Sequence, residues 1–317
     1  MPRGKRGRKP LNTSFKRKLA VPPPNVYHGE LLPSCAGPKF HPFRTSNPEI
    51  QFQTLLNEPN LSDTGGQGYV FKALVDSEPF AIKLFKFFDI EEEKARFADS
   101  QKAKMTDDEL EGNTDPFFAE CRAYGRIEEF YENCQGKKNP GLIAAPCYGY
   151  LYISEEQEMD LGRQFGILDW NRLDTHANTR IRALVKQFIP DEPINRKVKS
   201  VKRMLSDLKT LHRIGVYPRD TFARNYRGGL IVDFGIALTE PSCVLRVLPE
   251  WMREPEKYKD LGAFDDMIRE LGIKTAVRAA RPENPQIHTR GDYVRGELRE
   301  EFVELDRSGK NAKPALV

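Results

Sequence analysis

Strand-like alternation marks the first folded part of the chain. Apolar and polar residues alternate over residues 70–75 and again over 80–85, and the turn-forming residues 76–79 separate the two runs. Two alternating runs joined by a short turn predict an antiparallel hairpin. Apolar runs predict further strands over residues 146–153 and 181–189.

Helical periodicity follows in three places. Apolar residues recur every three or four positions from about residue 116, over 195–213, and over about 259–272. This spacing places them on one face of an α-helix. A tight hairpin is predicted over 225–233, around two consecutive glycines. The apolar face of the second helix consists of Val198, Val201, Met204, Leu205, Leu208 and Leu211.

Stretches without such periodicity divide the chain into units. Residues 1–48 are rich in Pro, Gly, Lys and Arg, and this composition buries too little apolar surface to offset the entropy of ordering, so a disordered arm is predicted. Residues 89–115 are polar and acidic and are predicted to be an exposed, partly helical insertion, and residues 154–178 are predicted to be a second polar insertion. The predicted folded units are an N-terminal lobe at 49–190 and a C-terminal lobe at 191–280, followed by a polar tail at 281–317.

The formal net charge of +4 conceals an uneven distribution. Residues 1–20 hold eight Lys or Arg and no acid, which leaves forty-two basic and forty-six acidic residues in the rest of the chain. No run reaches the roughly eighteen apolar residues of a membrane-spanning helix, so no membrane contact is expected. The five cysteines show neither metal-ligand spacing nor an even count, which fits a reducing compartment.

Two segments of the first hairpin have the features of a phosphate-binding site. Gly65, Gly66 and Gly68 precede the first strand, and glycines let a backbone approach phosphate closely because they carry no Cβ. A glycine-rich hairpin without a ligand is the more common case. Lys83 ends the apolar run Phe-Ala-Ile-Lys, where a lysine either meets an anion or extends its ammonium group to the surface. The two segments together favour an anion site.

Two later segments carry carboxylates at loop positions. Asp220 and Asn225 follow the second predicted helix, and Asp233 ends the apolar strand Ile-Val-Asp. Carboxylate and amide oxygens suit Mg²⁺, and a free carboxylate accepts the proton of an attacking hydroxyl. Four such segments in this order match what phosphoryl transfer from ATP requires.

These segments resemble those of the protein kinase superfamily over about residues 55–275. The resemblance implies an α+β, two-lobed protein kinase-like fold with a shortened C-terminal lobe and the disordered basic N-terminal arm. It also implies that ATP and Mg²⁺ are the cofactors. The implied roles are phosphate binding by Lys83, pairing of Lys83 with Glu120, proton acceptance by Asp220, and metal binding by Asn225 and Asp233. The implied adenine site consists of Val70, Ala81, Gln187, Phe188 and Ile189.

The chain also departs from the kinase pattern. Asp63 replaces the first glycine of the loop, and Pro218 replaces the usual histidine before the catalytic aspartate. Phe222 stands where serine/threonine kinases place a lysine, and Arg224 could substitute for it, as in the Ala-Arg-Asn pattern of tyrosine kinases. Few residues remain for the later helices of the C-terminal lobe. A kinase-like fold without catalysis is therefore the alternative.

A narrower resemblance rests on the segments DPFFAECRAYGRI and RDTFARNYRGGLIVDFG. They look like the fungal family named for a kinetochore Sim-four complex subunit, the Fta-two type, over about residues 50–270. This resemblance implies kinetochore partner proteins and a nuclear, centromere-associated location. Residues 5–10 (Lys-Arg-Gly-Arg-Lys-Pro) resemble an AT-hook core, which implies DNA contact through residues 3–10. The same residues also resemble a nuclear localisation signal, which is the favoured interpretation, and a solvated tail is the third alternative.

Three functions remain open from the sequence. The first is an ATP- and magnesium-dependent phosphotransferase acting on a protein hydroxyl. The second is a pseudokinase scaffold of a centromere complex. The third is an adaptor that contacts DNA through residues 3–10, for which steeply salt-dependent binding is expected.

Overall fold

The N-terminal lobe is built on a five-stranded antiparallel sheet. The computed structural model describes residues 29–44, 48–57, 66–134, 141–191 and 194–279. The sheet order is β1-β2-β3-β5-β4. Its strands are β1 (Ile50–Leu55), β2 (Gly68–Val75), β3 (Glu78–Phe85), β4 (Cys147–Tyr152) and β5 (Arg182–Gln187). The sequence-based prediction of the hairpin and of the two later strands is confirmed.

Helix α4 (Pro116–Asn133) packs against this sheet. It begins where Asp115 accepts a hydrogen bond from the Phe117 amide at 2.9 Å and Arg182 of β5 binds the second Asp115 oxygen at 2.6 Å. An N-cap carboxylate satisfies the free amides of the first turn, and proline is well tolerated at the first helical position. The predicted apolar stripe is confirmed, because Phe117, Cys121, Tyr124 and Ile127 are buried.

Short helices occupy the two polar insertions. The first contains α1 (Ile90–Lys94), α2 (Asp99–Lys102) and α3 (Asp107–Thr114), and the second contains α5 (Glu155–Phe165). The predicted partly helical character of the first insertion is confirmed, but its predicted exposure is wrong at Leu110, which is buried. Leu161 in the second, polar insertion is buried as well. Single apolar side chains anchor otherwise polar helices, and so sparse a pattern carries little periodic signal.

The C-terminal lobe is mostly helical. It contains α6 (Val198–Arg213), α7 (Cys243–Val247) and α8 (Glu250–Glu270). Four two-residue strands accompany them: β6 (Val216–Tyr217), β7 (Tyr226–Arg227), β8 (Leu230–Ile231) and β9 (Leu238–Thr239). Strand β7 pairs with β8 around the predicted glycine turn, and β6 pairs with β9.

Two sequence-based predictions in this lobe need correction. Val198 was placed on the buried face of α6 but is 44% exposed, because it is the first helical residue and lies beyond the edge of the core. The last helix begins at residue 250 rather than 259. Pro255 lies within it, and the buried charged residues Glu256, Asp260 and Asp266 interrupt its apolar pattern.

Residues 29–44 are not part of a disordered arm. Leu32 and Phe40 pair through two backbone hydrogen bonds, and the Phe43 amide donates to the Tyr150 carbonyl on β4 at 2.7 Å. Phe40 is completely buried and His41 binds Glu128 of α4 at 2.8 Å. Long-range contacts order this proline-rich segment, and its composition alone could not indicate them. Residues 1–28, with the predicted DNA-contacting residues 3–10, lie outside the described residues, as does the tail 281–317.

The two lobes meet at a cleft beneath the sheet. One apolar cluster continues from α4 through α6 to α8 and includes Phe117, Leu208 and Phe264. Among the described residues no helix follows α8. No helix in this part of the chain is long and apolar enough to span a membrane. The predicted α+β, two-lobed fold is confirmed by this arrangement.

Candidate active site

Lys83 lies in the middle of the sheet, between β2 and β5. Its side chain is 4% exposed, and its ammonium nitrogen lies 2.9 Å from Glu120 Oε2 and 2.7 Å from Asp233 Oδ1. Although burial lowers the pKa of Lys83, the charges of Asp233 and Glu120 outweigh it and hold this pKa above its usual value. Lys83 is therefore a charged lysine held between two carboxylates from different elements.

Glu120 projects from α4 into the cleft and is fully buried. One oxygen binds Lys83, and the other accepts from Lys186 and from the Phe234 amide at 3.3 Å. A buried carboxylate is tolerated only when its charge is paired and its oxygens are hydrogen-bonded. Glu120 meets both conditions with two ammonium groups and one backbone amide.

Lys186 is the site residue that sequence reasoning missed. It lies on β5 opposite Ala81, it is 5% exposed, and its ammonium also donates to the Val232 carbonyl at 2.8 Å. Lys186 is a lysine inside the apolar strand Ala-Leu-Val-Lys-Gln-Phe, and Lys83 shows the same pattern of a lysine in an apolar strand. Lys186 directly precedes Gln187, Phe188 and Ile189, which are predicted to border the adenine.

Asp233 connects the two lobes electrostatically. Burial raises the pKa of this carboxyl, but the nearby charges of Lys83 and Lys186 dominate and keep its pKa well below the usual range. The Gly235 amide donates to Asp233 Oδ1 at 2.8 Å. Phe234 is fully buried and meets the ring of Tyr124 edge-on, with 5.2 Å between centroids. The Asp-Phe-Gly segment therefore packs against α4.

The loop after α6 brings Asp220, Arg224 and Asn225 to the opposite wall of the cleft. Arg224 binds Asp220 Oδ2 at 2.6 Å, and Asn225 Nδ2 donates to the Asp220 carbonyl at 3.1 Å. Asp220 Oδ1 is buried and has no hydrogen-bond partner among the described residues. An unpartnered carboxylate oxygen beside a cavity is available to a ligand hydroxyl.

Helix α8 anchors this loop from below. Thr221 Oγ1 donates to the Asp260 carbonyl at 2.7 Å, and the carboxylate of Asp260 binds His212 of α6 at 2.9 Å. Arg219 adopts a left-handed backbone conformation with φ of +66°, and its guanidinium binds Glu256 at 2.5 Å. A long side chain in this conformation costs of order 1 kcal/mol or more, so tertiary contacts fix the loop beside Asp220.

Two adjoining cavities fill the cleft. One, of about 240 Å³, is lined by Gln67, Gly68, Lys83, Asp220, Arg224, Asn225, Asp233, Gly235 and Ile236. The other, of about 350 Å³, includes Val70, Ala81, Lys186, Gln187, Phe188 and Ile189 among its lining residues. The structure thus brings the sequence-predicted residues to one cleft. Gly65 lies outside the described residues, and Gly66 is not among the lining residues.

Gly68 has a structural requirement that does not involve a ligand. A Cβ at this position would lie 1.9 Å from the Leu84 carbonyl oxygen, on the neighbouring strand. A Cβ added at Gly66 would have no described atom within 4 Å. Strand pairing therefore requires glycine at position 68, whereas the described residues place no packing constraint on position 66.

A family model matches residues 29–238 of the chain, and its description is kinetochore Sim4 complex subunit FTA2. The match covers about two thirds of the chain and contains every sequence-predicted site residue from Gly65 to Asp233. The chain belongs to this family. The narrower resemblance stated from the sequence is thereby confirmed.

The FTA2-family chain was also compared with solved structures and with curated proteins. A solved structure titled "Structure of vaccinia related kinase 3" is similar at 13% identity with a TM-score of 0.33; the match covers 65% of this chain and 53% of that one. The chain thus spans about half the length of that relative. No curated protein matches.

The residues of this FTA2-family cleft fit a magnesium–nucleotide complex. Hydrogen bonds engage Asn225 through Nδ2 and Asp233 through Oδ1, so Asn225 Oδ1 and Asp233 Oδ2 could bind a cation at the smaller cavity, which both residues line. Mg²⁺ takes few protein ligands and completes its shell with phosphate and water oxygens. Apolar side chains such as Val70, Ala81 and Ile189 line the larger cavity, as a planar base requires.

Proposed function

We propose that this FTA2-family chain binds ATP with Mg²⁺ and transfers phosphate to a protein hydroxyl. One observation carries the proposal: Lys83 bridges Glu120 and Asp233 on a cavity whose other wall holds Asp220 and Asn225. A cation held by two carboxylates can exchange one of them for phosphate and keep the other.

The roles of the residues follow from their positions. Lys83 would bind phosphate oxygens while Glu120 keeps its side chain aligned, and Asn225 and Asp233 would hold Mg²⁺, which neutralises charge on the phosphates when bound. Asp220 Oδ1 would accept the acceptor hydroxyl's proton. Arg224 binds the other Asp220 oxygen and would keep that carboxylate oriented towards the cleft.

A second candidate function is a scaffold within a kinetochore complex, with nuclear and centromeric location. The family description supports it, and so do Pro218 and Phe222 in the loop that carries Asp220. Under this proposal partner proteins of the complex bind the fold, and the cleft binds nucleotide weakly or not at all.

Isothermal titration calorimetry with magnesium-ATP tests the first proposal against the second. We expect micromolar binding by the wild-type chain, no binding by Lys83→Ala or Asp233→Asn, and unchanged binding by Lys104→Ala on the exposed surface. Circular dichroism confirms that each variant is folded. A folded wild-type chain that binds no nucleotide would exclude phosphoryl transfer and leave the scaffold.

A further inference from the structure

Helix α6 presents a basic face to solvent. Its five members are Lys199, Lys202, Arg203, Lys209 and Arg213, and all of them are exposed. At 100° per residue they lie within a sector of about 120°, opposite the buried Leu208 and Leu211. This basic face extends for about 21 Å at 1.5 Å per residue.

Almost no negative charge opposes the basic face. Asp207 is the one acid in α6, and it lies 3.6 Å from the Arg203 guanidinium. No ion pair links Lys199, Lys202, Lys209 or Arg213 to an acid in the part of the chain that the structure describes. Soluble surfaces usually mix both signs, and the chain beyond residue 20 has more acids than bases. The basic face is therefore a local excess of positive charge on a chain that, beyond residue 20, carries more acids than bases.

The remaining side chains in the sector distinguish between polyanionic partners. Ser206 and Thr210 lie between the cations, and no aromatic or large apolar residue falls within the sector. The centre of a protein–protein interface is enriched in aromatic residues and depleted in lysine and serine. Contacts to DNA phosphates, in contrast, come from Lys, Arg, Ser and Thr side chains.

We infer that the basic face of α6 binds the phosphate backbone of duplex DNA, independently of base sequence. Its length corresponds to about six base-pair steps of 3.4 Å, and the cations recur at each turn of the helix except at Ser206. None of the five cations lines the two cavities of the cleft, and none belongs to residues 3–10, so the inference does not depend on the function of the cleft.

Fluorescence anisotropy with the full-length chain and labelled 20-base-pair duplexes, one A·T-rich and one mixed, tests this inference between 50 and 200 mM salt. We expect Lys199→Gln/Lys202→Gln/Lys209→Gln to weaken binding to both duplexes equally. The slope of log affinity against log salt is negative, and each lost phosphate contact makes it shallower by about 0.9. The slope of the triple variant should therefore be shallower than that of the wild type by about 2.7. Lys94→Gln/Lys102→Gln/Lys104→Gln changes the net charge by the same amount elsewhere and should leave the slope unchanged.

Two further measurements make the result decisive. Deletion of residues 1–20 should leave the effect of the α6 substitutions intact; if that deletion removes all binding and the α6 substitutions change nothing, the inference is overturned. Polyglutamate of matched charge should compete poorly with the duplex. Competition as effective as that of unlabelled DNA would overturn the inference in favour of an acidic protein partner.

Discussion

Lys186 binds Glu120 on the carboxylate oxygen that Lys83 does not use. Strands β3 and β5 place the two lysines on the same face of the sheet, because Lys186 pairs with Ala81, two residues before Lys83. Glu120 would thus keep a cationic partner when Lys83 turns towards phosphate. Lys186 also lies over the Tyr124 ring, 5.5 Å from its centroid, which fixes the ammonium group further.

Substitutions at this pair should reveal energetic coupling. We expect Lys186→Met to lower the free energy of unfolding by about 1–3 kcal/mol and Glu120→Gln by about 3–5 kcal/mol, because the second change leaves two buried ammonium groups without their shared carboxylate. Urea unfolding measures both, with Lys104→Met as a surface control. The double variant should lose clearly less than the sum of the two; additive losses would contradict direct coupling.

The two described glycines of the loop should respond differently to alanine. Gly68→Ala drives a Cβ into the Leu84 carbonyl and should lower stability by about 1–3 kcal/mol. Gly66→Ala meets no described atom and should leave the melting temperature within about 1 °C, since overpacking is avoided. If Gly66 lies over phosphate, the Gly66→Ala variant should bind nucleotide more weakly than the wild type and remain fully stable. Calorimetry measures this binding. Equal melting temperatures for the two variants would show that the strand contact is not constraining.

Replacement of Asp220 should separate phosphoryl transfer from binding. Asp220→Asn removes a proton acceptor but no phosphate or metal ligand, so the rate of transfer should fall by about 10²–10⁴-fold with an unchanged Kd for magnesium-ATP. Transfer of labelled γ-phosphate to casein, a generic acceptor, measures the rate. Asp191→Asn, an 82% exposed carboxylate paired with Arg227, is the matched control. Equal rates for wild type and Asp220→Asn would remove Asp220 from the mechanism.

Asp207 should make stability depend on pH. Burial raises the pKa of the Asp207 carboxyl to about 6, because the charge of Arg203 offsets only part of the effect of burial. A raised folded-state pKa means that stability is highest when the group is protonated, below about pH 4, and that this contribution is lost as pH rises through about 6. Asp207→Asn should therefore gain about 1–3 kcal/mol over the wild type at pH 7–8 and nothing near pH 4. Urea midpoints at pH 4, 5, 6 and 7.5 check this, and a difference that does not vary with pH would assign the effect to packing instead.

Local sequence determined most elements of the fold and most of the cleft. Strands β2, β3, β4 and β5 and helices α4 and α6 follow from alternation and from three-to-four spacing, because main-chain geometry fixes which side chains share a face. Lys83 and Asp233 stood out because each is a charged residue at the end of an apolar strand. The resemblance supplied the pairing of Lys83 with Glu120, which lies thirty-seven positions away in the chain.

Only the tertiary structure decided the remaining features. The order in residues 29–44 comes from contacts with β4 and α4. Helix α8 carries the buried charge of Asp260, whose partner His212 lies forty-eight residues away in the chain. The convergence of Lys186 on Glu120 is likewise invisible along the chain. The stability of each of these features depends on pairing between distant residues, and the conformational preferences of neighbouring residues carry no information about such pairs.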